Sequence, residues 1–280
     1  MLAGDERKGG PPLKSPIRMN LARAAGKRCF IRARVAARLM RTAGPVGFVT
    51  VLHLIKFSKL GGRSRTVRLR PLGWRAVELR AGTTDARVVL ETFLGRYHVP
   101  PEEVSDPRVI WDIGSNIGMT VAHYAELFPK AMVRGIELNE QTASLARANV
   151  KPWGSRCSVI TGAAWFEDGE LTYALEDGRE YAARITSAAD SEGARSVRSH
   201  SMNTLLSADE TIEFLKMDIE GAEREVLRRN TEWASRVQAI QVEVHEPYTV
   251  EECITDLARL GFTPRCDPRH WASAIGIRPS

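Results

Sequence analysis

The sequence lacks the features that would assign it to several specialised classes of protein. Its four cysteines lie far apart and form no Cys-x-x-Cys pair, so neither a zinc site nor a disulfide framework is expected. No uninterrupted apolar run reaches the roughly 18–20 residues that a membrane helix needs, and the longest, 46–55, contains His53. Because no signal-peptide pattern is found either, we expect a cytoplasmic protein.

Composition indicates a soluble globular chain with an unevenly distributed charge. Of the 280 residues, 43% are hydrophobic and 26% are charged, and the formal net charge is +6. Residues 1–41 contain 11 Lys and Arg against 2 Asp and Glu, so the rest of the chain is slightly acidic. An acidic body argues against a nucleic-acid groove, and no nucleic-acid partner is expected.

The chain divides into three parts by pattern. Residues 1–45 form a basic arm, with a Gly- and Pro-rich start that predicts disorder and a helix-capable run over 19–40. This arm is compatible with a solvated helix or flexible arm, or with peripheral contact to a membrane surface or an acidic partner. No transmembrane segment is expected.

Residues 46–108 read as a cap that leads into the main fold. The alternating segments 66–70 and 76–79 predict a hairpin with its turn at 71–74. Thr84 and Asp85 then precede a helical pattern that continues to Leu94.

From Val109 onward, apolar strands alternate with helices, which is typical of a parallel sheet covered on both faces. We therefore predict an α/β, doubly wound, mostly parallel Rossmann-like sheet over 109–280, with an N-terminal helical and hairpin extension. Strands are predicted at 109–112, 132–137, 157–161, 212–217, 239–244 and 274–277, helices at 119–128, 141–149, 222–229 and 250–260, and one or two antiparallel strands (171–174, 197–201) within a polar insert at 165–200.

The first predicted strand enters a glycine turn that favours a cationic ligand. Gly114 and Gly118 permit the turn, but Asn116 stands where a dinucleotide site needs a second glycine. Asp112 would repel a pyrophosphate and can accept from a ligand ammonium. S-adenosylmethionine carries an ammonium and a sulfonium and no phosphate, so the segment predicts a methyltransferase.

The next two strand ends supply residues for the rest of that ligand. Glu137 follows the second strand and is placed to accept two hydrogen bonds from a ribose diol. Ala163 and Ala164 follow the third strand and leave a slot for adenine, with Ile136 or Trp165 as its wall. Trp165 is equally compatible with a core position.

The fourth and fifth strand ends carry the catalytic candidates. Asp218, Glu220 and Glu223 place three carboxylates within six residues, and Asp218 is predicted to face the transferring methyl group. An acid-enriched helix N-terminus is the alternative, because the helix dipole favours it. His245 is the candidate general base, with a satisfied loop histidine as the alternative. The predicted catalytic residues are thus His245, Asp218 and Glu220.

Three segments carry a family resemblance: Asp-Ile-Gly-Ser-Asn-Ile-Gly at 112–118, Gly-Ile-Glu-Leu-Asn at 135–139 and Phe-Leu-Lys-Met-Asp-Ile-Glu-Gly-Ala-Glu at 214–223. In these segments the chain resembles the FkbM family of S-adenosylmethionine-dependent methyltransferases. The resemblance implies the class I methyltransferase fold and methylation of hydroxyl groups on polyketides, sugars or glycoconjugates. Relatives often have aspartate where this chain has Asn203, so no role is carried over to that position.

The expected reaction is an in-line displacement in which His245, or Asp218 through water, takes the proton of an acceptor hydroxyl. Asp218, Glu243 and His245 also have the ligand types of a divalent-cation site, but we assign no metal. A nicotinamide oxidoreductase is disfavoured by Asp112 and Asn116. A non-catalytic or nucleotide-binding Rossmann-like protein remains the alternative.

Overall fold

The computed structural model of the protein describes residues 35–53, 55, 62–176, 179–185 and 195–279. The predicted disordered start and most of the predicted helix at 19–40 lie outside the described residues.

The described chain begins with a helix and a hairpin. Helix α1 (Val35–His53) precedes strands β1 (Gly62–Leu69) and β2 (Arg75–Ala81), which pair antiparallel through a 3₁₀ turn at Arg70–Leu72. Helix α2 (Asp85–Leu90) follows and continues into a π-helical turn at Glu91–Gly95. The predicted hairpin and the helix after it are therefore confirmed.

Helix α1 is longer and more apolar than the sequence argument allowed. By length and composition alone it is sufficient to cross a membrane, a test that core helices and N-terminal leaders also pass. The sequence does not show this length as an uninterrupted apolar run, because Arg38 and Arg41 lie within the helix. The helix also extends across the predicted boundary between residues 45 and 46.

The remaining elements include every strand and helix predicted from Val109 onward, and also three strands and one short helix that were not predicted. In chain order they are β3 (Val109–Ile113), α3 (Met119–Leu127), β4 (Met132–Glu137), α4 (Glu140–Val150), β5 (Cys157–Thr161), β6 (Ala163–Trp165), β7 (Gly169–Glu176), β8 (Arg179–Ile185), β9 (Arg195–Ser201), α5 (Met202–Leu205), β10 (Phe214–Met217), α6 (Glu223–Arg228), β11 (Ala239–Glu243), α7 (Val250–Arg259), β12 (Thr263–Cys266) and β13 (Ser273–Ile277).

Seven strands form the central sheet, in the spatial order β12-β13-β11-β10-β3-β4-β5. Strands β11, β10, β3, β4 and β5 are parallel neighbours, and β13 pairs antiparallel with both β11 and β12. The mostly parallel doubly wound sheet is thus confirmed. From the centre of the sheet, later strands are added on one side of β3 (β4 and β5) and on the other side (β10 and β11), so the strand order reverses between β3 and β10. Ligands of such sheets bind beyond the carboxyl ends of the strands at the place where the order reverses.

The polar insert forms its own four-stranded sheet, in the order β6-β9-β7-β8. The sequence predicted β7 and β9 in shortened form and missed β8. It also missed β12, in which Pro264 is half-buried and the other three residues are exposed. Neither strand has the apolar alternation on which strand prediction depends.

The sheet separates two hydrophobic clusters. Because successive strand side chains point to opposite faces, Ile110 and Phe214 belong to one cluster and Trp111 and Leu215 to the other. Val67 and other hairpin residues share the first cluster. The N-terminal hairpin is therefore part of the core that supports the sheet.

Asn149 joins the hairpin to the main fold. Its Oδ1 accepts from the backbone N–H of Glu78 at 2.8 Å, and its Nδ2 donates to the carbonyls of Glu78 and Ile117 at 3.2 and 3.0 Å. The side chain is 2% exposed. Its loss would leave buried and partly buried backbone groups unpaired, which is more costly than the loss of an exposed bond.

We predict that Asn149→Ala lowers the free energy of unfolding by about 2 kcal/mol, because one buried and two partly buried hydrogen bonds lose a partner. Urea denaturation followed by circular dichroism measures the change. The matched control is Asn203→Ala, whose half-buried side chain bonds to Asn230 and Glu232 and should cost less than 1 kcal/mol. Equal losses in the two variants would contradict the role of Asn149.

Candidate active site

A cavity of about 680 Å³ opens beyond the carboxyl ends of β3, β4, β10 and β11, a volume within the range of small-molecule sites. It brings together most of the residues predicted from sequence. Those that line it are Gly114, Asn116, Ile136, Glu137, Ala163, Ala164, Asp218, Glu220, Glu243 and His245.

Two predicted cofactor residues do not line the cavity. Asp112 is fully buried, and its carboxylate accepts a short hydrogen bond from the hydroxyl of Thr120. Gly118 is the N-cap of α3 and packs against Ala146 and Val150 of α4. Thr120 does line the cavity, so Asp112 supports a lining residue from beneath and makes no direct contact with the space.

The third strand end is only partly as predicted. Ile136 lines the cavity beside the two alanines, whereas Trp165 does not and instead lies against Phe166, with ring centroids 4.9 Å apart. Asn203 also lies outside the cavity and bonds to Asn230 and Glu232.

Gly114 is required by a close approach between two loops. Its φ is +88°, and a Cβ built there would lie 1.8 Å from the carbonyl oxygen of Asp218. The turn after β3 and the turn after β10 are therefore in backbone contact. This contact holds the two predicted binding segments at a fixed separation.

Glu137 is held by backbone donors at the end of β4. Its Oε2 accepts from the N–H of Asn116 at 3.0 Å and its Oε1 from the N–H of Asn139 at 2.9 Å. Burial raises the pKa of Glu137 to about 7, although both N–H groups favour the charged form. The carboxylate is thus fixed in orientation and keeps further acceptor capacity toward the cavity.

Lys216 lies between two carboxylates at the base of the cavity. Its Nζ is 2.9 Å from Oδ2 of Asp218 and 3.7 Å from Oδ1 of Asp112. Burial works against the ammonium, but these two carboxylates outweigh it and raise the pKa of Lys216. In turn, Lys216 holds the pKa of Asp218 below its usual value against the effect of burial.

His245 forms a pair with a buried glutamate. Its Nδ1 lies 2.9 Å from Oε1 of Glu223, and its Nε2 lies 3.3 Å from Oε2 of Glu220 and 3.9 Å from Oδ1 of Asp218. Glu223 is 0% exposed and also accepts from the N–H groups of Ile219 and Gly221. The glutamate therefore fixes the imidazole ring so that Nε2 faces the cavity.

The acidic side chains around His245 shift one another's proton affinity. Burial and Asp218 raise the pKa of Glu220 to about 7 and that of Glu243 to about 8. Burial lowers the pKa of His245, but the bond to Glu223 and the nearby carboxylates outweigh it and raise the value to about 9. This part of the cavity thus favours a bound cation.

The same residues bring potential metal ligands together. Among the described residues, one atom each from Asp218, Glu220 and His245 lie within 4.8 Å of one another. Glu243, which the sequence argument placed in such a set, is not in this group. A cation there would compete with Lys216 for Asp218.

The other side of the cavity is lined by aromatic and histidine side chains that were not predicted from the sequence. Tyr97, His270 and Trp271 line it from loops, with 4.5 Å between the ring centroids of Tyr97 and His270, and Trp271 is 89% exposed. His98 also lines it, and its Nε2 lies 2.8 Å from Nδ1 of buried His123. None follows a predicted strand end, so the strand-end rule could not find them.

Comparisons with known proteins identify a matching family. Residues 112–264 match the Methyltransferase FkbM domain family. The hexuronic acid methyltransferase AglP of Haloferax volcanii is 28% identical over 181 residues, which cover 61% of this chain and 66% of that protein. The match thus spans a little under two thirds of the relative's length.

Solved structures resemble the chain more distantly. An O-methyltransferase family protein from Burkholderia thailandensis is 12% identical, covering 70% of this chain and 58% of its own, with a TM-score of 0.45. Fibrillarin from Aeropyrum pernix in complex with S-adenosyl-L-methionine is 14% identical, covering 76% and 94%, with a TM-score of 0.40. At these scores the family match and the strand order define the fold.

We predict that Gly114→Ala lowers the free energy of unfolding by roughly 2–4 kcal/mol, because the Cβ overlaps the Asp218 carbonyl at an unfavourable φ. Thermal and urea unfolding measure it. Gly261→Ala is the control: its φ is +85°, but the nearest atom to a Cβ is Nη1 of the long Arg278 side chain at 3.1 Å. Equal losses in both variants would show that φ alone matters.

Proposed function

The chain belongs to the FkbM methyltransferase family, and on this premise we propose that it transfers the methyl group of S-adenosylmethionine to a hydroxyl oxygen of a sugar or a related small molecule. The observation that supports this most is the pairing of His245 with buried Glu223 at the edge of an acid-lined cavity. A positioned imidazole facing a cation-binding space is what transfer to a neutral hydroxyl requires.

The cavity fits this methyl donor. Glu137 offers carboxylate oxygens to a ribose diol, and Ile136 with Ala163 and Ala164 offers an apolar slot for adenine. Asp112 Oδ1 is buried and has no hydrogen-bond partner, and it adds negative charge beneath the lining. When bound, S-adenosylmethionine supplies an electrophilic methyl carbon on a positively charged sulfur.

His245 removes the acceptor proton. The acceptor oxygen forms the new bond to carbon as the carbon–sulfur bond breaks, and the hydroxyl proton passes to Nε2 of His245. Glu223 keeps Nδ1 protonated and stabilises the imidazolium that results. Most of the acceleration comes from alignment of the bound reactants, to which the fixed loops at Gly114 and Asp218 contribute.

The base must be neutral before it can act. With a pKa of about 9, His245 is mostly protonated at neutral pH in the ligand-free protein. A sulfonium bound nearby disfavours the imidazolium and lowers that pKa. The rate therefore rises with pH through the pKa of His245 in the complex and levels off above it.

The charge of the cavity favours a hydroxyl acceptor over a carboxylate. The hexuronic acid named for the relative AglP carries both groups. Asp218, Glu220 and Glu243 would repel a carboxylate nucleophile, and a carboxylate would not need His245 as a base. A neutral hydroxyl is compatible with both features.

The exposed aromatic side chains support a ring-shaped acceptor. Trp271, with 89% of its surface exposed, lies at the cavity beside His270 and Tyr97. Tyrosine and tryptophan are enriched at binding interfaces, and the face of the Trp271 ring can pack against the C–H groups of a sugar ring. The dispersed cysteines support a reducing cytoplasm as the location.

We predict that Glu137→Ala weakens S-adenosylmethionine binding by about 1–3 kcal/mol, because a charged acceptor of the ribose is lost. Calorimetric titration measures it, with the exposed Glu140→Ala as control. In the parent protein affinity should also fall as the pH drops below about 7, where Glu137 takes up a proton, and this dependence should disappear in the variant. Unchanged affinity in Glu137→Ala would contradict the ribose assignment.

We predict that His245→Ala slows turnover to S-adenosylhomocysteine by roughly 10²–10⁴-fold with donor binding intact, since the base is lost.

Glu223→Gln should move the rising limb of the pH–rate profile to lower pH, because the negative charge that raises the pKa of His245 is removed. The measurement is a pH series with a panel of neutral sugars and their uronic acids.

Three results would contradict this mechanism. A near-normal rate in His245→Ala would remove the base. Loss of activity in a chelator, with recovery on adding Mg²⁺, would assign Asp218, Glu220 and His245 to a metal. Binding of the donor without turnover of any acceptor would favour a non-catalytic member of the fold.

A further inference from the structure

Helix α1 has two apolar faces. One faces the domain: Leu39, Ala43 and Val51 are at most 5% exposed and belong to the hydrophobic cluster that includes the hairpin. Gly47 lies against this surface, where a Cβ would be 3.2 Å from Cγ1 of Val67. The helix is thus docked on the fold through this face.

The other face is apolar and exposed. Val46 is 81% exposed, Val49 64% and Leu52 43%. These residues are three apart and so form one stripe, on the side of the helix away from Gly47 and Val51. Trp74, itself 47% exposed, lies beside the helix at Gly44, where a Cβ would be 3.6 Å from its ring. Such a continuous exposed apolar surface is typical of an interaction site.

The charge of this part of the sequence indicates what covers the stripe. Residues 7–77 contain 18 lysines and arginines and no aspartate or glutamate. Among those described, Arg38 and Arg41 on α1 and Arg68 and Arg70 at the hairpin are exposed. A second copy of the chain would bring the same positive charge against this face and be repelled. An anionic lipid surface offers both the apolar phase and the opposite charge.

The helix is suited to lie in that surface and not to cross it. Although α1 is long and apolar enough to span a membrane, crossing would pull Leu39 and Val51 out of the core that they share with the hairpin. Gly44 interrupts the helix with a φ of +67°, and Pro45 follows it. A straight span does not contain such a left-handed residue.

We propose that α1 is an interfacial anchor that binds an anionic lipid bilayer, with Val46, Val49 and Leu52 inserted below the headgroups and the exposed arginines of α1 and the hairpin at the headgroups. The anchor would place the cavity at a membrane surface without a transmembrane segment. This inference does not depend on the reaction that the cavity catalyses.

The test is sedimentation of the full-length protein with vesicles of phosphatidylcholine alone or with about 30% phosphatidylglycerol. We expect binding to the anionic vesicles only. Val46→Asp/Val49→Asp should reduce the bound fraction at least about tenfold, since the insertion of apolar area is lost. The matched control is Met132→Asp/Ile160→Asp, which changes two residues that are each 37% exposed on β4 and β5 and should bind as the parent does.

Circular dichroism melts confirm that the variants are folded, and light scattering reports their mass. Equal binding by the parent and the Val46/Val49 variant would show that charge alone acts and would overturn the insertion. A parent that ignores anionic vesicles would overturn the proposal as well. If the parent is a dimer that does not bind vesicles, and the Val46/Val49 variant is a monomer, the stripe would be assigned to a second copy of the chain.

Discussion

The rest of the site depends on the ion pairs that the buried ammonium of Lys216 forms with Asp218 and Asp112. Lys216 and Asp112 are register partners on adjacent parallel strands, so the ion pair is fixed by the central sheet itself. Removing either partner would leave an uncompensated buried charge, which is strongly destabilising. Through this pair the fold sets the charge at the base of the cavity.

One lysine does not neutralise the whole cavity. Glu137, Glu220 and Glu243 also line it, and burial raises the pKa of each to about 7–8. Burial disfavours the charged form of these carboxyl groups, and a cation that binds beside them stabilises that charged form. This charge distribution supports the proposed sulfonium donor over a pyrophosphate-bearing ligand.

Sequence reasoning found the parts of the site that follow from strand ends. The positions of Glu137, Asp218 and His245 depend only on the apolar runs before them, because parallel strands end at one edge of the sheet. It could not show that Asp112 lies beneath the cavity lining, because the hydrogen bond from Thr120 and the ion pair with Lys216 depend on the folded structure. Trp271 was not predicted as a site residue, because it lies in a loop and does not follow a strand.

The central claim is that the acid-lined edge of the sheet holds a positively charged methyl donor with its sulfur toward His245. A crystal structure with S-adenosylhomocysteine bound tests it most directly. We expect the ribose hydroxyls within hydrogen-bond distance of Glu137 and the sulfur on the side of the cavity where Nε2 of His245 lies. A ribose bound away from Glu137, or a sulfur that faces away from His245, would contradict the account.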